Sequence, residues 1–329
     1  SCLLKKHNSC YHTEKFKVVK FQSLYPTSSH INISPMKFLL IGKNGQVGWE
    51  LSHSLSKLGN VFALGRSELD LSMPETLGAI IQDIRPDIII NAAAYTAVDK
   101  AESEPDLAMT VNGISPGVIA REAKKIGAGM IHYSTDYVFD GKATSPYKEE
   151  SPTYPLNIYG KSKLAGEQAV IQVGIPHIII RTSWVYSLRG SNFLLTIKKL
   201  AQTRKQIKVV DDQTGAPTWA GSIAEGTKRI LEKSLTKSTK AEKLFIGSGV
   251  FHMSCSGKTN WFGFANKILE FSGLSKNTEL IPIPTTAYTT PAVRPKYSRL
   301  SNKKLKQVFN QEMPKWQDAL HQCLDLPSN

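Results

Sequence analysis

The chain has 329 residues, 41% hydrophobic and 21% charged, the composition of an ordinary water-soluble protein with room for one large domain and a smaller one. No apolar run approaches the ~20 residues that cross a bilayer, and the four cysteines, Cys2, Cys10, Cys255 and Cys323, lack metal-ligand spacing, so no metal site is read from them and a reduced cytoplasmic compartment is expected. The formal charge of +14 gathers into no arginine-rich block and accompanies no zinc finger, helix-turn-helix or aromatic RNA-binding signature, which argues against nucleic acid and suits polyphosphate anions as ligands.

Residues 1–35 carry no helical period and no signal-peptide core, and Met36 stands immediately before the first clear strand, so a disordered extension is expected ahead of it. From there strands and helices alternate. Lys37-Phe38-Leu39-Leu40-Ile41 reads as a buried strand, followed by Gly42-Lys43-Asn44-Gly45-Gln46-Val47-Gly48 and an amphipathic helix from Val47 to about Leu58. A Gly-x-x-Gly-x-x-Gly turn between a first strand and a first helix is the setting that binds a dinucleotide. Gly42 permits the tight turn, Gly45 lets a pyrophosphate approach the N–H groups of the helix N-terminus, and Gly48 lets helix and strand pack closely.

The second strand, Val61 to Gly65, ends at Arg66, a cation suited to the 2′-phosphate of NADP, while Glu68 nearby could serve NADH instead. Asp70-Leu71 comes next, placed to cap the adenine. A third strand, Ile88-Ile89-Ile90-Asn91, runs into Ala92-Ala93-Ala94-Tyr95-Thr96, whose small residues would floor the cofactor cleft; a long helical stretch is expected from about Pro105 to Ile126.

Gly129 to Tyr133 reads as a buried strand and brings Ser134-Thr135-Asp136 to its C-terminal end, where open α/β sheets hold ligands. Tyr159 and Lys163 are four residues apart and share one face of a helix that continues through Ser162 to Val173. An ammonium there would favour phenolate and draw the tyrosine's pKa down from about 10 towards the working pH. Taken alone, such a pair is more often surface decoration. Behind the glycine turn and the Thr135 strand, it assembles a hydroxyl, a phenol and a lysine around one carbonyl.

Pro176 to Arg181 is another strand, closed by Thr182-Ser183-Trp184-Val185-Tyr186. The alternation specifies an α/β fold, a Rossmann-type doubly wound parallel sheet over residues 36–183, with 184–329 mainly a smaller substrate-binding domain. The later elements are a helix from Asn192 to Gln202, a strand from Ile207 to Val210 and a helix ending near Glu232. A polar loop from Leu235 to Lys243, a short strand from Leu244 to Gly247, a helix from Phe262 to Phe271 and a closing helix around Trp316 to Leu324 follow. Gly257-Lys258-Thr259 lacks the upstream glycine of a P-loop and reads as the entry to the Trp261 helix.

The glycine turn, Asn91-Ala92-Ala93-Ala94-Tyr95-Thr96-Ala97-Val98-Asp99, Ser134-Thr135-Asp136-Tyr137-Val138-Phe139-Asp140-Gly141, Tyr159-x-x-x-Lys163, Arg181-Thr182-Ser183-Trp184-Val185-Tyr186, Asp212 to Thr218 and Arg294 to Leu300 stand in an order that resembles the dTDP-4-dehydrorhamnose reductases of the extended short-chain dehydrogenase/reductase family. The likeness runs from Met36 to about Leu324. It implies reduction of the C4 ketone of a dTDP-sugar by NADPH, with NADH the alternative. It makes Tyr159 the proton donor, Lys163 the holder of the nicotinamide ribose and Thr135 a second donor to the carbonyl. It gives Gly45, Gln46, Val47, Asp70, Leu71, Ala94, Tyr95, Thr96 and Tyr133 to the cofactor, and Asp136 and Trp184 to the sugar nucleotide, with Arg294 the candidate for a phosphate. It offers Glu50 to a magnesium ion bridging subunits of a homodimer, against the plainer reading of a solvated helix glutamate. Rivals that share these motifs are nucleotide-sugar epimerases and dehydratases, which recycle their cofactor, and the NADP-binding regulatory subunit of methionine adenosyltransferase, which turns nothing over.

Overall fold

A computed structural model describes residues 35–235, 248–276 and 278–326. The extension expected before Met36 lies outside them except for Pro35, as do residues 236–247, which hold most of the expected polar loop and the short strand after it.

Five strands form where the apolar runs place them: β1 Lys37–Ile41, β2 Asn60–Leu64, β3 Ile88–Asn91, β4 Gly129–Thr135 and β5 His177–Thr182. They are parallel, in the order β2-β1-β3-β4-β5. Alternate residues of each strand feed two separate cores. Phe38, Leu40, Ile88, Ile90, Ile131, Ile178 and Ile180 pack on one face, and Leu39, Ile41, Ile89, Met130 and Ile179 on the other. A sheet buried on both sides needs continuous apolar strands, which is why these segments showed no polar alternation. The chain order reverses between β1 and β3, the switch point that opens a crevice at the strands' C-terminal ends.

A sixth strand, Gly249–His252, pairs in parallel with β5 where no strand was expected, Phe251 and His252 having read as part of the entry to the Trp261 helix. It covers the edge that β5 would otherwise present. The helix Ala220–Leu235 likewise packs on α1 (Gln46–Leu55). Two elements that follow residue 183 therefore belong to the layers of the nucleotide-type sheet. The remaining later elements gather a third core around Tyr186, Leu194, Ile197, Phe264, Ile268 and Trp316.

The long helical stretch expected from Pro105 to Ile126 is present, with one irregular turn inside it. It consists of α4 (Pro105–Met109), a π-turn at Thr110–Ile114 and α5 (Ser115–Ile126), preceded by the short α3 (Val98–Ala101) and, before β3, by α2 (Pro74–Ile84). Pro116 has no N–H to return to the carbonyl of Asn112, so the ladder slips there. Against this turn lies α6 (Ile158–Val173), so close that a Cβ on Gly166 would stand 2.1 Å from the Asn112 carbonyl oxygen. Among the described residues no helix is long and apolar enough to cross a membrane.

Candidate active site

The glycine turn is built to bring backbone close. Gly42 adopts φ +94°, and a Cβ on it would meet the Ala93 nitrogen at 2.7 Å; a Cβ on Gly48 would sit 2.0 Å from the Gly42 carbonyl oxygen. The turn after β1 is thus pressed against the Ala92–Thr96 segment after β3, and α1 starts immediately behind it. Val47 packs against the core, while the Gln46 side chain accepts from Asn192 Nδ2 (2.7 Å) and Ser187 Oγ (3.1 Å) of the later chain.

At the end of β2, Arg66 is mostly exposed and donates from Nε to Asp70 Oδ2 at 3.1 Å. Asp70 also accepts from the Ser72 N–H and hydroxyl, and these bonds hold its carboxyl below the usual range despite its partial desolvation. Glu68 pairs with Lys43 of the glycine turn and accepts from the Gly65 N–H. Leu71 is buried in the core, where its carbonyl accepts from Ser115 Oγ. After β3, the Tyr95 N–H donates to Asn112 Oδ1 at 2.8 Å and its phenol to Glu104; Ala94 is half-buried and Thr96 exposed.

The helix carrying Tyr159 and Lys163 begins earlier than its composition suggested. Asn157 caps α6, its Oδ1 accepting from the Gly160 N–H at 2.8 Å, so both residues lie within regular helix one turn apart. Thr135, the last residue of β4, caps the short turn Asp136–Val138, and its hydroxyl donates to Asp136 Oδ1 at 3.1 Å, close enough to the Tyr159 phenol to lower its pKa. Lys163 Nζ reaches the same strand two residues earlier, at the Tyr133 carbonyl, so the three side chains gather along the C-terminal end of β4. The Tyr137 ring lies edge-on to Tyr159 at 5.5 Å.

The expected downward pull on the tyrosine is not what the structure has. Burial dominates and pushes the Tyr159 phenol up to about 12, against the smaller lowering by the Thr135 hydroxyl. The Lys163 ammonium is instead drawn to the strand, donating to the Tyr133 carbonyl at 2.6 Å, and burial brings its pKa down to about 8, with Glu167 opposing. Tyr133 meanwhile spends its side chain in the core, hydrogen-bonded to Thr227 at 2.7 Å.

Asp136 is buried, and burial raises its carboxyl to about 7, against the hydroxyls of Ser298 and Thr135. Its Oδ2 has no partner in hydrogen-bonding geometry. Trp184 takes a left-handed backbone (φ +48°) and stacks on Trp261, ring centroids 3.6 Å apart and planes 5° from parallel. A Cβ on Gly215 would strike that indole at 2.5 Å. Arg294, expected to wait for a phosphate, is held in a two-pronged pair with Asp99, 2.9 and 2.7 Å, because the fork of donors finds a carboxylate at the start of α3. Glu50 is partly buried, its carboxyl raised by burial against His53 and Arg189, and it lines a cavity of about 840 Å³ beside Trp219 and Glu225. Among the described residues no cluster of three or more His, Cys, Asp or Glu side chains could hold a metal ion.

Sequence reasoning missed several polar residues buried under the site. Asn112 joins the Tyr95 segment to Ser162 of α6 (3.0 Å). Asn91 and His132 lie beneath Lys163. Arg181 and Glu167 form a buried two-pronged pair that also accepts from Ser134. A legible signal existed for some: an asparagine closing Ile88-Ile89-Ile90 and a histidine inside Met130-Ile131-His132-Tyr133 are polar groups in otherwise apolar strands, and such groups have partners.

A family model described as the RmlD substrate binding domain matches residues 36–328. A protein of Burkholderia thailandensis named dTDP-4-dehydrorhamnose reductase is 49% identical over 295 residues, 88% of this chain and 98% of that one. Crystal structures of a dTDP-4-dehydrorhamnose reductase from Clostridium acetobutylicum and of one from Bacillus anthracis in complex with NADP superpose with TM-scores of 0.81 and 0.80, at 36% and 34% identity. Each covers 88% of this chain and, respectively, 99% and 98% of its own.

Proposed function

Because the chain belongs to the RmlD substrate-binding-domain family, we propose that it reduces the C4 ketone of dTDP-4-dehydro-β-L-rhamnose to dTDP-L-rhamnose with NADPH. The observation that carries this reading is the gathering of Thr135, Tyr159 and Lys163 along the C-terminal end of β4, in a sheet whose glycine turn has no room for a side chain at Gly42 or Gly48. Bound NADPH supplies the hydride. Gly42 and Gly48 pack the turn against neighbouring backbone and Gly45 leaves the start of α1 open to a pyrophosphate, while Arg66 stands free enough to turn from Asp70 to a 2′-phosphate.

The protein's own groups manage the oxygen. As negative charge develops on it, the hydroxyls of Thr135 and Tyr159 stabilise it and Tyr159 releases its proton. A phenol held near 12 keeps that proton until the oxygen becomes basic, which suits a donor in a net reduction. Lys163 orients the ribose hydroxyls and favours the phenolate that remains. Asp136, with a buried oxygen lacking a partner, is suited to a sugar hydroxyl, and the Trp184 and Trp261 stack to an apolar face of the ligand. Among the described residues no cluster of ligands surrounds Glu50 to hold a magnesium ion. A homodimer belongs to the proposal, and sedimentation tests it. A cytoplasmic setting is supported by the two buried, free thiols Cys255 and Cys323.

Stoichiometric NADPH oxidation with the purified keto sugar nucleotide tests the reaction. An epimerase would convert the sugar without net oxidation, and a regulatory subunit would bind the cofactor and do neither.

A further inference from the structure

Asn91 closes β3 and His132 lies within β4 as its register partner, and both are completely buried. Their hydrogen bonds run in one direction. The Ala93 N–H donates to Asn91 Oδ1 at 3.2 Å, which sets the amide's orientation and leaves Asn91 Nδ2 to donate to His132 Nδ1, also at 3.2 Å. Burial, and next the Lys163 charge, keep the imidazole neutral. With Nδ1 accepting, the ring's one proton sits on Nε2, and Nε2 faces Lys163 Nζ at 3.5 Å. An ammonium there meets a donor with a donor. The free amine satisfies both neighbours: its lone pair accepts from Nε2–H while an N–H donates to the Tyr133 carbonyl.

The other groups around Lys163 do not duplicate this. Glu167, one turn on along α6, favours the ammonium, but its carboxylate is shared with Arg181 of β5 and Ser134 of β4. Tyr159, one turn back, is a neutral phenol, and Asp136 on the turn after β4 titrates near neutrality. The helical layer contributes Asn112, uncharged and bonded to Tyr95 and Ser162.

We propose that Asn91 and His132 are positioning residues for the reductase, presenting an imidazole N–H to Lys163 that weakens the lysine's hold on its proton and sets the alkaline edge of its activity. The kinetic half of this inference rests on the proposed reaction; the hydrogen-bond half does not.

Two measurements on the full chain test it. In the free protein, imidazole ¹⁵N shifts, with His132 assigned by its loss in His132→Gln, are expected to show the Nε2–H tautomer. In Asn91→Asp the carboxylate accepts from both Ala93 N–H and Nδ1–H, so the proton moves to Nδ1 and a lone pair turns to Lys163. The alkaline limb of kcat/KM for NADPH oxidation is then expected to rise by about one pH unit or more. Asn91→Ala, which frees the ring to turn its proton the same way without burying a charge, is expected to shift the limb in the same direction. An Nδ1–H tautomer in the unsubstituted protein overturns the proposal, as does an unmoved limb in either folded variant. If the unsubstituted chain fails to oxidise NADPH with the keto sugar, the reaction is rejected while the tautomer result stands, and the limb is read instead from the pH dependence of NADPH binding.

Discussion

Arg294 grips Asp99 with both arms of its guanidinium, Nη1 to Oδ1 at 2.9 Å and Nη2 to Oδ2 at 2.7 Å, across 195 positions of sequence. The pair ties the C-terminal segment to α3, just beyond the Ala92–Thr96 segment, and Arg294 is the leading cause of the lowered Asp99 carboxyl. The same fork fits a phosphate as well as a carboxylate. If it exchanges Asp99 for the diphosphate of the substrate, Arg294→Ala raises the KM for the sugar nucleotide by about tenfold or more, whereas Asp99→Asn leaves it level or lowers it. Equal increases in both variants would make the pair a structural latch alone.

Tyr159→Phe keeps the ring against Tyr137 and removes only the proton donor. Turnover is expected to fall by at least about 100-fold, with NADPH affinity, measured by fluorescence titration, near that of the parent. Retained turnover would reject the donor role.

Arg66→Ala is expected to weaken NADPH by about tenfold or more while changing NADH little, and Glu68→Gln to raise the preference for NADPH by removing a carboxylate that pairs with Lys43 at the same strand ends. The ratio of kcat/KM for the two cofactors reads both. Equal losses on both cofactors in Arg66→Ala would mean that it does not touch a 2′-phosphate.

Gly48→Ala places a methyl group 2.0 Å from the Gly42 carbonyl oxygen, where only backbone can give way. Urea unfolding is expected to show a loss of about 1–3 kcal/mol, and cofactor binding falls with it. A stability equal to the parent's would show that the turn has slack the structure does not reveal.

His132 and His252 are both held neutral, burial lowering the first well below its ordinary value and the second to about 3. Unfolded, they titrate near 6.5, so below that pH the unfolded chain binds protons the fold refuses. Their contribution is intact above about pH 6.5 and lost as pH falls from there towards 3, by up to about 1.4 kcal/mol per pH unit for each group. Asp136 acts in the opposite sense: its carboxyl, near 7 when folded, holds a proton the unfolded chain gives up from about pH 4 upward. Urea unfolding across pH 4 to 7 is therefore expected to show a shallower acid loss in His252→Gln than in the parent, and an unchanged slope would mean that His252 is charged in the fold.

Much of the architecture was written locally. The apolar runs of β1 to β5, the Gly42-x-x-Gly45-x-x-Gly48 spacing and the four-residue step from Tyr159 to Lys163 each depend on neighbours a few positions away, because strand period, turn geometry and helix pitch are properties of short segments. Those alone determined the parallel sheet, the place of the crevice and which face of α6 looks into it. The tertiary structure decided what each polar group meets there. The strand Gly249–His252 joins β5, Arg294 finds Asp99, Asn91 turns a histidine proton towards Lys163, and burial drives the Tyr159 phenol up where an ammonium alone would have drawn it down. Partners and desolvation depend on which distant segments the packed layers bring together, and no spacing along the chain carries that.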